Sequence, residues 1–112
     1  MTIVNEQWQF LLDMAKLIEK AKSLGIVLTG GELFRTPEQQ QIYLKTGKSK
    51  TGNSQHLKRL AVDFNFFING QLTYEKTKLQ ELGDYWESLS PANRWGGNFK
   101  GFIATPHFER FL

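Results

Sequence analysis

The segment LAVDFNF, residues 60–66, decides the fold, because large apolar residues occupy every second position along it. Leu60, Val62, Phe64 and Phe66 share one face, and Ala61, Asp63 and Asn65 share the other. A period of two predicts a β-strand with one buried face and one more polar face. Asn69-Gly70 follows and is typical of a tight hairpin turn, so the returning strand is expected to begin near Leu72.

Helical patterns lie on both sides of this hairpin. Six apolar residues upstream recur at helical spacing: Trp8, Leu11, Leu12, Ala15, Ile18 and Ala21. Gly25 is expected to end that helix, and the apolar run 26–28 suits a short strand. Thr36 and Pro37 are typical of a helix start, and this second helix is expected to reach about Lys45.

A third helix is predicted from Glu75 to Leu89. Its buried side is expected to carry Leu79, Leu82, Tyr85, Trp86 and Leu89. A last strand is predicted from His107 to Phe111. These elements predict an α+β domain over residues 1–112, in which about three helices pack around a short antiparallel sheet.

The composition limits the possible chemistry. The 112 residues include no cysteine and two histidines, with 14 Lys+Arg against 11 Asp+Glu for a net charge of +3. Disulfides, thiolate zinc sites, iron–sulfur clusters and cysteine nucleophiles are therefore excluded. A metal site would have to use His56, His107 and carboxylates.

Basic residues concentrate in one stretch that could meet an anionic partner or serve as a solvated loop: Lys45, Lys48, Lys50, Lys58 and Arg59. No aromatic residue lies between Lys45 and Arg59, which disfavours single-stranded nucleic acid, and we expect no nucleic-acid partner. The N-terminus lacks the features of a secretory signal, and no apolar run reaches the roughly 20 residues of a membrane span. We expect a monomer that is made in the cytosol and has no membrane span.

Ser54-x-His56, Asp63 and His107 form a possible metal site. Asp63 lies on the polar face of its predicted strand, where it could be solvent-exposed, paired with an arginine or bound to a metal. His107 enters a second strand candidate that could bring it against Asp63. Two histidines and one aspartate suit zinc and leave a fourth position open, which is typical of a catalytic site.

Four motifs in the same order strengthen this interpretation. Residues 54–63, SQHLKRLAVD, closely resemble the S-x-H-x-x-G-x-A-x-D signature of the zinc D-alanyl-D-alanine carboxypeptidase family, which includes L-alanyl-D-glutamate endopeptidases of phage endolysins. Residues 31–40, 95–97 and 106–109 are similar to that family's R-T-x-E-Q-Q, W-G-G and P-H-F-E elements. The resemblance covers roughly residues 29–112, and the short chain is most similar to the phage branch.

The resemblance implies roles for individual residues. His56, Asp63 and His107 would bind one Zn²⁺, and Arg35 would stabilise negative charge on the substrate carbonyl. Arg35 could instead form a surface ion pair at a helix start. Ser54 would orient the loop or the substrate, unless it is an ordinary turn serine.

Two further residues would act at or behind the ligands. Glu109 would hold a histidine ligand, or it could pair with a lysine on the strand surface. Trp95 belongs to the W-G-G element and is expected beside the substrate or behind the ligands.

The sequence departs from the family pattern at two positions. Arg59 replaces the glycine of the signature, which could alter the loop after His56. Ala104 stands three residues before the last histidine, where the family has its catalytic Asp or Glu. Loss of a general acid–base group typically costs about 10²–10⁴-fold in rate. Deliberate inactivation, natural loss and use of another carboxylate each explain Ala104, and the first is favoured because the other site residues are retained.

The resemblance therefore implies a zinc metallopeptidase that hydrolyses peptidoglycan stem peptides, in an endolysin-like role, at an L-alanyl-D-glutamate or D-alanyl bond. Ala104 would leave this chain inactive or strongly impaired. It would reach the wall by a holin-type route. The alternative is a naturally non-catalytic zinc or cell-wall-binding module with the same fold.

Overall fold

A computed structural model of the chain describes residues 2–49 and 54–112 and contains three α-helices and one antiparallel sheet in that part. The helices are α1 (Ile3–Ser23), α2 (Pro37–Thr46) and α3 (Lys76–Ser88). The strands are β1 (Ile26–Gly30), β2 (Ala61–Ile68), β3 (Gln71–Thr73), β4 (Asn93–Trp95) and β5 (His107–Arg110). The predicted α+β class is confirmed. No helix in the described ranges has the length and apolar character of a membrane span.

The strand predicted from residues 60–66 is the centre of the sheet. β2 pairs with β1 on one side and with β5 and then β3 on the other, and β4 pairs with β5. Asn69 and Gly70 turn the chain from β2 into β3 with φ of 52° and 77°. Two consecutive positive φ values are typical of the hairpin turn that the Asn-Gly pair predicts.

The apolar face of β2 lies in the core. Val62, Phe64 and Phe66 are buried there, as their alternation predicts, together with side chains of α1 and α3. Phe108 of β5 connects the two layers, because its ring centroid lies 6.0 Å from those of both Phe64 and Trp86. α1 and α3 therefore cover one face of the sheet, and the other face carries polar side chains.

Most of the residues whose spacing predicts α1 are not buried in the structure. Its buried residues are Phe10, Asp13, Leu17 and Ala21, whereas Trp8 is 60% exposed. Apolar residues occur all around this helix, so periodicity alone does not identify the packed face. That face is fixed by tertiary contacts: Phe10 packs edge-on against Trp86, and Asp13 accepts a hydrogen bond from Asn93.

Two helix boundaries agree closely with the prediction. Thr36 caps α2 by accepting a hydrogen bond from the Gln39 backbone, and Gly47 ends the helix in the left-handed conformation. α3 buries Leu79, Leu82 and Trp86 as expected, while Tyr85 and Leu89 are partly buried.

The strand β4 was not predicted, because three residues are too few to show a period of two.

Arg59 occupies a strained backbone position before β2. It ends the 3₁₀ turn Gln55–Lys58 with φ of 58°, in the left-handed region, and its guanidinium lies 4.2 Å from the centroid of the Phe34 ring. Left-handed backbone costs a residue with a side chain roughly 1–2 kcal/mol, which glycine avoids. The signature has glycine at this position, and the backbone conformation here is one that favours glycine. In this chain the turn forms with arginine at the same position.

We expect Arg59→Val to lower the free energy of unfolding by about 1–2 kcal/mol, because a β-branched side chain tolerates this φ poorly. Arg59→Gly should stay within about 1 kcal/mol of the parent chain, since relief of strain is offset by the greater entropy of the unfolded chain. Both variants lose the contact with Phe34, so their difference isolates the backbone effect. Urea denaturation measures the free energy of unfolding of each variant. Equal values for Arg59→Val and Arg59→Gly would contradict the strained backbone assigned to this position.

Candidate functional site

The register of the sheet gathers four polar side chains on the face opposite the core. Asp63 of β2 lies opposite His107 of β5, and Glu109 of β5 lies opposite Arg94 of β4. Paired residues and residues two apart on one strand point to the same side of a sheet. Because the intervening Phe108 points into the core, Asp63, His107, Glu109 and Arg94 form a row across three strands on the other side.

His56 reaches this row from the 3₁₀ turn that precedes β2. Ser54 caps the turn, since its hydroxyl accepts a hydrogen bond from the His56 backbone at 3.2 Å. The His56 ring is fully buried, and its Nδ1 lies 2.9 Å from the carbonyl oxygen of Leu33. A carbonyl only accepts, so Nδ1 carries the proton, and Nε2 presents its lone pair when the ring is neutral.

Three possible metal ligands converge at this point. One ligand atom from each of His56, Asp63 and His107 lies within 4.8 Å of the others. Oδ1 of Asp63 is 3.4 Å from His56 Nε2 and 3.2 Å from His107 Nδ1. Among the described residues, the buried Nε2 of His56 has no hydrogen-bond partner. An orphaned imidazole lone pair beside a carboxylate and a second imidazole fits a divalent cation such as Zn²⁺.

The second ring nitrogen of His107 is held from behind. His107 Nε2 lies 2.7 Å from Oε1 of Glu109, and the other oxygen of Glu109 accepts hydrogen bonds from Arg94 Nε at 2.9 Å and Nη2 at 2.6 Å. A carboxylate behind a histidine fixes the orientation of its ring. The contact expected for Glu109 is thus present in the structure, and its partner on the strand surface is Arg94 rather than a lysine.

The charges of this row are coupled. Burial opposes ionisation of Asp63, but its hydrogen bond with His107 and the nearby imidazole of His56 outweigh burial and hold the pKa of Asp63 well below the usual range. Burial also disfavours charged His107, yet hydrogen bonds to Asp63 and Glu109 raise its pKa to about 9. The pKa of Glu109 is lowered by its contacts with His107 and Arg94 despite burial. In the metal-free protein at neutral pH, His107 is therefore an imidazolium, and a metal must displace its Nδ1 proton.

Arg35 lies in the wall beside His56 and is 9% exposed. It forms an ion pair with Glu32 and donates a hydrogen bond to Gln40 Oε1 at 2.7 Å. Its guanidinium stacks 4.6 Å from the centroid of the Tyr43 ring. The ion pair considered as the alternative for Arg35 is present, with the arginine side buried and Glu32 partly exposed, and these contacts fix the orientation of the guanidinium.

These residues border a cavity of about 670 Å³. Its walls include the three candidate ligands and Arg35, Ser54, Ala104 and Glu109. Ala104 is also tied into the backbone, since its carbonyl accepts from the His107 backbone at 3.0 Å and its N–H donates to Gly96. A Cβ on Gly96 would overlap the Ala104 carbonyl, which explains the glycine there.

Trp95 lies on the other side of the sheet. It is fully buried and stacks on Phe108, and its indole N–H donates to the Thr105 carbonyl at 2.8 Å. Trp95 is not among the residues that line the cavity, and it supports the segment before His107 from within the core.

The basic stretch is only partly associated with the cavity. Lys48 lies at the cavity, and Arg59 packs on Phe34. Lys50 and part of the predicted polar loop fall in residues 50–53, outside the described ranges.

Arg94 was missed by sequence reasoning. The one sequence feature that could have drawn attention to Arg94 is its position directly before Trp95-Gly96-Gly97. Its contact with Glu109 depends on the pairing of β4 with β5, which the sequence did not reveal.

Two sequence comparisons relate this chain to known proteins. A family model described as D-alanyl-D-alanine carboxypeptidase matches residues 47–110, a range that contains His56, Asp63, Ala104, His107 and Glu109. The L-alanyl-D-glutamate peptidase of Listeria phage A118 is 33% identical over 98 residues, which cover 84% of this chain and 34% of the phage protein. The chain thus spans about a third of the length of that relative.

A solved structure has the same fold. The L-Ala D-Glu endopeptidase ChiX of Serratia marcescens superposes with a TM-score of 0.69 at 23% identity, covering 88% of this chain and 77% of that chain.

We expect the metal-free protein to lose stability as the pH rises from about 6.5 to about 9. His107 has an ordinary pKa of 6.5 and a folded pKa of about 9, so its charged contacts stabilise the fold fully below the first value and are lost through the second. Thermal melting in the presence of a chelator measures this loss. His107→Gln is the control and should show a flatter profile; parallel profiles for the two proteins would contradict the assignment.

Proposed function

The chain belongs to the D-alanyl-D-alanine carboxypeptidase family, and we propose that it is a zinc-binding peptidase domain directed at the peptide part of peptidoglycan, in an endolysin-like role. The L-alanyl-D-glutamate bond is the favoured target, because the phage relative and the solved structure are both named for that activity. A D-alanyl bond is the target that the family description favours. The observation that carries the proposal is the convergence of His56, Asp63 and His107 in one cavity beside Arg35.

The proposed metal is a single Zn²⁺ held by His56 Nε2, Asp63 Oδ1 and His107 Nδ1. Zn²⁺ with three protein ligands and one open position supplies a Lewis acid that polarises a carbonyl and lowers the pKa of a water molecule. The donor set supports this choice, since two imidazoles and one carboxylate suit zinc and the chain has no cysteine. Both histidines have an oxygen partner on the nitrogen that faces away from Asp63.

Arg35 is proposed to bind the substrate carbonyl. A guanidinium that is already fixed by Glu32, Gln40 and Tyr43 needs little reorganisation when negative charge develops on an oxygen nearby. Its position at the same cavity as His56 and His107 supports a role at the reacting bond. Ser54 supports the site by capping the turn of His56 and lies 3.4 Å from Arg35 Nη1.

The side chain of Ala104 cannot transfer a proton to or from the reacting bond. Ala104 lines the cavity, three residues before His107, where the resemblance places a carboxylate. Among the described residues that line the cavity, the carboxylates are Asp63 and Glu109. Asp63 contacts both histidines, and both oxygens of Glu109 are engaged by His107 and Arg94. We therefore propose that neither replaces the missing acid–base group and that this chain turns over slowly or not at all.

The second candidate is a binding module of the same fold that retains zinc and cell-wall peptide without hydrolysis. The observation that favours it is again Ala104, since every other element of the proposed site is present. The two candidates differ in what restoring a carboxylate would do. A peptidase that lacks one group should regain activity, whereas a module specialised for binding should not.

We expect Ala104→Asp to raise the rate of peptide-bond cleavage in purified peptidoglycan by about 10²–10⁴-fold over the parent chain. Ala104→Asn is the matched control, because it has nearly the same size and no acid–base function. The release of new amino groups measures the rate, with zinc content checked in each protein. Equal inertness of all three zinc-loaded proteins would contradict the peptidase proposal and favour the binding module.

A further inference from the structure

We propose that Arg94 is a positioning residue for the metal ligand His107 and that it acts through Glu109. The inference rests on the zinc site proposed above and adds to it a residue at the edge of the sheet. It follows from three contacts in sequence: Arg94 with Glu109, Glu109 with His107, and His107 with Asp63.

The first contact fixes the carboxylate. Arg94 lies directly opposite Glu109 across β4 and β5, and its Nε and Nη2 both donate to Oε2 of Glu109. The side chain of Glu109 is only 6% exposed, so its charge requires a partner. Two donors from one planar guanidinium restrict the rotation of the carboxylate as well as neutralising it.

The second contact passes this restriction to the ligand. With Oε2 of Glu109 held by Arg94, Oε1 faces His107 Nε2 at 2.7 Å. The opposite nitrogen of the same ring, Nδ1, then points at Asp63 Oδ1. Rotation of the Glu109 carboxylate would release the imidazole from this orientation.

Two aromatic rings hold Arg94 in place although its side chain is 45% exposed. The guanidinium lies 3.8 Å from the centroid of the Phe111 ring and 5.3 Å from that of Phe99. Phe99 also packs against the ring of His107, with centroids 5.9 Å apart. Stacking of this kind suits a planar guanidinium and reduces the mobility that an exposed arginine would otherwise have.

Charge and positioning predict opposite effects on zinc affinity. A guanidinium near a divalent cation repels it, so removal of Arg94 should strengthen zinc binding if only charge matters. If Arg94 orients Glu109 and His107, its removal should weaken binding, because loss of an outer partner of a ligand typically costs about 10–100-fold in metal affinity. The direction of the change therefore distinguishes the two.

The experiment measures the affinity of the full chain for Zn²⁺ by competition with a chromophoric chelator, starting from metal-free protein. We expect Arg94→Gln to weaken zinc binding by about 10-fold. This is the lower end of the range given above, because Arg94 acts on His107 only through Glu109. Arg94→Lys should be intermediate, since an ammonium lacks the planar pair of donors. Lys100→Gln is the matched control, because it removes one cation from the same cavity. The ion-pair partners of Glu109 among the described residues are Arg94 and His107, so affinity for Zn²⁺ should be equal or higher in this variant.

A double-mutant cycle tests the route through Glu109. In a Glu109→Gln background, Arg94→Gln should cost less than twofold, because the carboxylate that it orients is already gone. Melting of the metal-free proteins, expected to agree within a few degrees, separates positioning from loss of fold. If Arg94→Gln fails to fold, the affinity of Arg94→Lys decides.

The inference would be overturned if Arg94→Gln bound Zn²⁺ as tightly as the parent chain or more tightly. It would also be overturned if Lys100→Gln lost as much affinity as Arg94→Gln, or if Arg94→Gln cost as much affinity in the Glu109→Gln background as in the parent chain. If Arg94→Lys has to decide, affinity equal to that of the parent chain would also overturn it. Absence of zinc binding by the parent chain would instead overturn the proposed zinc site itself, so the two failures are distinguishable.

Discussion

The antiparallel register of β2, β5 and β4 is the constraint on which the candidate site depends. Val62 pairs with Phe108 and both point into the core, so the adjacent pair of Asp63 and His107 must point to the opposite face. A slip of one residue would place these polar groups in the core and the aromatic ring of Phe108 in the cavity. The aromatic packing that stabilises the sheet therefore also fixes which side chains meet at the site.

Pairing of buried and partly buried charges is the second requirement, and the site satisfies it in two separate groups. Asp63 is shared by two histidines, while Glu109 joins His107 to Arg94. Arg35 is held independently by Glu32 and Gln40. Because these charges are already paired, His56, Asp63 and His107 are held in place before a metal binds. Binding then has to displace one proton from His107.

Much of this arrangement follows from local sequence. The alternation in residues 60–66, the Asn69-Gly70 turn and the Thr36-Pro37 start each depend on neighbouring residues alone, and each prediction was confirmed. The packed face of α1, the strand β4 and the role of Arg94 depend on partners distant in sequence. Phe10 meets Trp86, and Arg94 meets Glu109, through tertiary packing that no local pattern encodes. The place of Trp95 behind the sheet was undecided for the same reason.

Metal content is the measurement that most directly tests the central claim, that His56, Asp63 and His107 form a zinc site. The chain, exposed to Zn²⁺ and then freed of unbound metal, should retain about one zinc per molecule. His56→Ala and His107→Ala should each lose most of it, because two protein ligands hold zinc far less tightly than three. An absence of zinc in the parent chain, or the same zinc content in the parent and both variants, would contradict the site.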